Sequence, residues 1–140
     1  MTDWDLVAKK LAFVESCLAD LERLARPELI ETDVREERFV SHTLQIAIQA
    51  ALDTASHIVS NDRLGEPETN RALFEALHQA GWMSEALTAT LADMVGFRNI
   101  LVHGYQSVDT AVVRDVLEQH LGDLRAFVEA IRTRQQELSS

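Results

Sequence analysis

Apolar residues recur at helical spacing along almost the whole chain. Val7, Leu11, Val14, Leu18, Leu21 and Ala25 step by four, three, four, three and four, which predicts one buried stripe on a helix over about residues 3 to 25. Arg26-Pro27 ends it, because the residue before a proline is pushed out of the α region and proline cannot extend a preceding helix. A second, longer stripe runs through Val40, Leu44, Ala47, Ala51, Thr54 and Ile58, so a helix is expected from Asp33 to about Asn61. Asp33 and Glu36 have the spacing of a capping box at its start, and the alanines in its middle allow close helix approach.

Turn-forming residues from Asn61 to Pro67 separate this helix from a short third one. That helix carries Leu73, Phe74 and Leu77, with Pro67 in its first turn and Gly81 closing it. A fourth helix is expected from about Ser84 to His103, burying Leu87, Leu91, Met94 or Val95 and Leu101 or Val102, with Gly104 as a left-handed residue beyond its end. Asp109 then caps a last helix on which Val113, Leu117, Leu121, Leu124, Val128 and Ile131 line one face before a polar tail frays. Five helices, no strand and short connections predict an all-α, antiparallel up-and-down bundle of four long helices and one short one, forming a single domain over residues 1–140.

Composition narrows the picture. Only two prolines and five glycines are present, too few turn formers for a many-stranded fold. The start Met1-Thr2-Asp3-Trp4-Asp5 carries acid rather than base and leads into no long apolar run, so a cytoplasmic protein with no membrane partner is expected. The one cysteine, Cys17, falls among helical apolar positions and reads as a core residue. A net charge of −10, from 23 acids against 13 bases, repels nucleic acid over most of the surface, so any nucleic-acid chemistry needs a local basic pocket.

Several chemistries drop out. There is no Gly-rich phosphate loop, no Gly-x-Ser-x-Gly turn and no cysteine pair. A dinuclear metal site in a helical bundle needs two Glu-x-x-His motifs, and only Glu75-x-x-His78 fits, so no metal or other cofactor is expected. His42, His57 and His120 have no ligand spacing to one another and read as ordinary helix residues.

What remains is Arg98-Asn99-Ile100-Leu101-Val102-His103-Gly104-Tyr105, running off the fourth helix. An Arg-x4-His spacing alone arises by accident roughly 0.4 times in a chain of this composition; requiring the single tyrosine two residues later lowers that to about 0.003. Two readings are open to these residues. In one they are structural: His103 caps helix carbonyls, Arg98 pairs with a surface acid and Tyr105 anchors the loop. In the other they are a site.

In order and spacing the residues resemble the Arg-x4-His-x-Tyr signature of the HepT-like toxins (DUF86 proteins) of the HEPN superfamily. Leu44-Gln45-Ile46-Ala47-Ile48-Gln49-Ala50-Ala51-Leu52-Asp53 and Val108-Asp109 resemble that family as well. The resemblance implies a HEPN-like fold, a homodimer, and a metal-independent endoribonuclease acting on transfer or messenger RNA. It also implies a cognate minimal nucleotidyltransferase antitoxin that adenylylates the motif tyrosine. Carried over by residue, Arg98 and His103 are catalytic, Asn99 is accessory and Tyr105 is the modification site. The alternative is a catalytically silent HEPN interaction domain that binds a nucleotidyltransferase, nucleotide or RNA.

The residue types suit RNA cleavage: imidazole exchanges protons near neutrality, and guanidinium grips phosphate through paired hydrogen bonds. Five residues on a regular helix, however, set Arg98 and His103 roughly 140° apart. Two expectations follow. The helix loosens over Val102 to Gly104 so that His103 swings towards Arg98, and two motifs face each other across a dimer axis to supply both positive field and separate acid and base.

Overall fold

A computed structural model describes residues 1–104 and 108–140. Helices α1 (Trp4–Leu24), α2 (Val34–Asn61), α3 (Asn70–Gln79), α4 (Glu85–His103), α5 (Thr110–Gln119) and α6 (Leu121–Ser139) account for most of them, with a 3-10 turn at Pro27–Leu29 and no strand among the described residues. The first stripe is buried as its spacing requires: Val7, Leu11, Val14, Leu18 and Leu21 are inaccessible, and Cys17 is buried beside them. α2 runs through the middle and touches every other helix, and the alanines Ala47, Ala51 and Ala55 on its buried face allow this.

Helix α1 runs antiparallel to both α2 and α6. Lys10 on α1 meets Asp53 on α2, while the amino terminus reaches the Asn61 carbonyl at the far end of α2. Arg132 on α6 pairs with Glu15 on α1, and Arg125, about two turns earlier on α6, pairs with Glu22, further along α1. One apolar cluster joins all six helices, and Phe74 of α3 stands edge-on to Phe127 of α6 at its centre, 5.7 Å between ring centroids. At one end Trp4 stacks on Trp82, with the Arg134 guanidinium over the Trp82 ring.

Four features depart from the pattern-based expectation. The last helix is two helices, broken at His120 (φ −122°, ψ 3°), whose ring bridges Asp115 at 3.3 Å and Asp123 at 3.0 Å. The buried residues Val113, Val116 and Leu117 of α5 and Leu124, Phe127, Val128 and Ile131 of α6 keep helical phase across the break, so periodicity passes straight over it. The tail does not fray at Ile131, since α6 continues to Ser139. Pro67 precedes α3 instead of starting it; Thr69 caps that helix, its Oγ accepting from the Ala72 amide at 3.1 Å.

Only half of the expected capping box forms. Asp33 caps α2 through the Arg35 amide, but Glu36 accepts from the Arg26 amide at 2.9 Å, because the Asp33 amide is already bonded to the Leu29 carbonyl. Glu36 thus ties down the α1–α2 connection. Ser84 and Asp109 cap α4 and α5 as their positions suggest, and Gly81 at φ 85° is the left-handed residue beyond α3.

Candidate functional site

The motif lies on the last turns of α4, which is regular through His103. The Gly104 amide still bonds the Ile100 carbonyl at 2.8 Å, so the helix does not loosen over Val102 to Gly104. Gly104 is not left-handed either: φ is −104° and ψ 40°. Its small size matters for another reason, since a Cβ there would sit 2.7 Å from the Ile100 carbonyl oxygen. Helix geometry therefore keeps Arg98 and His103 on different sides of α4, roughly 140° apart. Tyr105 lies outside the described residues.

Arg98 is half-buried against α2, while Asn99 and His103 are exposed. The Arg98 guanidinium donates through Nη2 to Gln49 Oε1 at 2.6 Å and through Nη1 to Asn99 Oδ1 at 3.3 Å. Its Nε is buried with no hydrogen-bond partner among the described residues. Gln49 in turn donates from Nε2 to Asp53 Oδ1 at 2.8 Å, and Asp53 Oδ2 lies 3.5 Å from Lys10 Nζ. A polar chain thus crosses three helices, from α4 through α2 to α1. Arg98, Asn99 and Gln49 come together within one protomer, and His103 does not join them.

Among the described residues, Arg98 differs in its partners from the other arginines whose side chains are hydrogen-bonded. Arg23, Arg114, Arg125 and Arg132 each face a carboxylate. Arg98 instead rests on two amide oxygens, so it is oriented without being neutralised. Such a guanidinium keeps its charge and its remaining donors for an anion. Gln49 and Asp53 were visible in the sequence as neighbours one helical turn apart, but nothing in the spacing ties them to a residue 49 positions away.

The other titratable residues are engaged elsewhere. His78 Nδ1 donates to the Met83 carbonyl at 2.9 Å, and Glu75 accepts from Gln79, so this pair joins α3 to the next connection and braces its own helix. His57 Nε2 accepts from the Asp3 amide at 2.9 Å, and His42 is exposed. Burial pushes the Cys17 thiol above its usual range, with Asp20 adding to the effect, which leaves it an inert core group. No group of three His, Cys, Asp or Glu side chains among the described residues is arranged to hold a metal ion, and no helix among them is long and apolar enough to cross a membrane.

The family model for HepT-like ribonucleases matches residues 14–131. The "mRNA nuclease HepT" of Shewanella oneidensis is 30% identical over 129 residues, 91% of this chain and 97% of that protein. The "tRNA nuclease HepT" of Aphanizomenon flos-aquae is 31% identical over 94 residues, 64% of each chain. Among solved structures, the tri-AMPylated HEPN toxin of Shewanella oneidensis in complex with MNT antitoxin superposes with a TM-score of 0.85 at 30% identity, covering 95% of this chain and 99% of that one.

Proposed function

Since the chain belongs to the HepT-like ribonuclease family, we propose that it is a metal-independent endoribonuclease toxin, silenced when a partner nucleotidyltransferase antitoxin adenylylates Tyr105. The observation that carries the catalytic part is the oriented but uncompensated charge of Arg98 at the end of α4. A chain of net charge −10 needs such a centre to hold a phosphodiester, and its other hydrogen-bonded arginines spend their charge on acids. The toxin–antitoxin part rests on the relative solved in its AMPylated form with an antitoxin.

In this mechanism the ribose 2′-oxygen attacks phosphorus and the bond from phosphorus to the 5′-oxygen breaks. His103 of one protomer takes the 2′-hydroxyl proton, and the same residue of the second protomer protonates the departing 5′-oxygen. Arg98, with Asn99 beside it, binds the non-bridging oxygens as charge builds on them. The products are a 2′,3′-cyclic phosphate and a 5′-hydroxyl. Two protomers are needed because one regular α4 holds Arg98 and His103 apart, whereas a two-fold axis near that helix end lets the arginine of one copy meet the histidine of the other. The substrate is RNA, messenger or transfer, as the two named nucleases illustrate.

The acidic surface favours one competitor, an interaction domain that binds the nucleotidyltransferase without cleaving RNA. Incubating wild-type and His103→Ala protein with total RNA in the presence of chelator separates the two. Fragments ending in 2′,3′-cyclic phosphate, made by the wild type alone, are expected. Intact RNA after incubation with folded, dimeric wild type would leave the interaction domain as the reading.

A further inference from the structure

Gln49 sits between a group that only donates and a group that only accepts. The Arg98 guanidinium has no acceptor and the ionised Asp53 carboxylate has no donor, so just one orientation of the Gln49 amide satisfies both: Oε1 towards Arg98, Nε2 towards Asp53. Reversing it would set an NH2 against a guanidinium at 2.6 Å. Lys10 holds the second oxygen of Asp53, which fixes the carboxylate from the far side and offsets its charge. The acid that orients the amide is thereby kept one residue away from the arginine.

Building on the ribonuclease reading, we infer that Gln49 is the positioning residue for Arg98 and that Asp53 dictates which end of the Gln49 amide the guanidinium meets. The arrangement aims a flexible arginine at the end of α4 while leaving its charge for the phosphate. A glutamate at position 49 would aim it equally well and neutralise it. A non-polar residue would leave the charge and lose the aim.

The test pairs RNA cleavage kinetics with the side-chain 15N–1H signals of Arg98, assigned by their loss in Arg98→Lys. Gln49→Met keeps the aliphatic stem, and its folding is checked by helix content and melting. It is expected to release the Arg98 signals into fast exchange and to lower kcat/KM by roughly tenfold to a hundredfold. The double variant Gln49→Glu with Asp53→Asn reverses the donor and acceptor between the two positions. It is expected to keep Arg98 immobilised yet raise the KM for RNA by about tenfold, because a carboxylate now compensates the guanidinium.

Gln49→Met that cleaves RNA like the wild type, or that leaves the Arg98 signals unchanged, overturns the positioning role. A double variant that frees Arg98 overturns the part assigned to Asp53. Wild-type protein that leaves RNA intact sinks the ribonuclease reading, and this role with it, so the two failures are told apart by the wild-type lane.

Discussion

Tyr105 and His103 are two residues apart, and the proposed mechanism gives them opposite sensitivities. As proposed, His103 exchanges protons with the substrate, a role that calls for an imidazole at that place. In that proposal Tyr105 only receives a nucleotide, whose phosphate adds bulk and negative charge to the motif and so opposes RNA binding. Tyr105→Phe should therefore keep most of the cleavage activity while refusing adenylylation by the antitoxin, as read by intact mass after incubation with the nucleotidyltransferase and ATP. Loss of cleavage in Tyr105→Phe would make the hydroxyl part of the chemistry. The motif stands out in the sequence at this scale because the single tyrosine follows the histidine of an Arg-x4-His pair by two residues. The partners of Arg98 were not, since an amide on α2 that meets it at 2.6 Å lies 49 residues earlier in the chain.

Helix ends show where pattern reading succeeds and where it stops. Asp33, Thr69, Ser84 and Asp109 all cap helices, because a short polar side chain before an apolar stripe satisfies exposed amides wherever the stripe begins. Pro67 nonetheless draws the expected start of α3 away from Thr69, and the α5–α6 break at His120 escapes the periodicity because the buried positions stay in phase across it, Gly122 being the only glycine or proline beside it. Gly104 does not serve as the left-handed residue that its position after α4 suggests. It ends α4 through close approach, with the Ile100 carbonyl oxygen 2.7 Å from where a Cβ would stand, and not through a left-handed backbone. Gly104→Ala must shift that backbone, so it is expected to destabilise the fold by about 1 kcal/mol or more. The measurement is the urea midpoint at unchanged m-value, and an unmoved midpoint would mean that the turn relaxes to admit the methyl group.

Across the whole molecule, the first and last helices are joined at the surface by ion pairs spanning most of the chain: Glu22 with Arg125, and Glu15 with Arg132 through two hydrogen bonds of 2.6 and 2.9 Å. The hydrogen bond from Arg132 holds the Glu15 carboxyl below its ordinary value against an opposing desolvation effect, with the charges of Arg132 and Arg125 assisting. A carboxyl with a lower pKa in the folded state than in the unfolded one adds stability at pH above the usual carboxylate range, and that stability disappears as pH falls through the folded value. The pair is about half exposed, so its share is that of a surface ion pair, up to ~1 kcal/mol and weakened by salt. Arg132→Leu removes the hydrogen bond and returns Glu15 towards its ordinary pKa. The variant should melt below the wild type at pH 7, and the two melting temperatures should converge as the pH drops below about 4. A gap that stays constant down to pH 3 would show that Arg132 stabilises α6 through the packing of its aliphatic stem and not through Glu15.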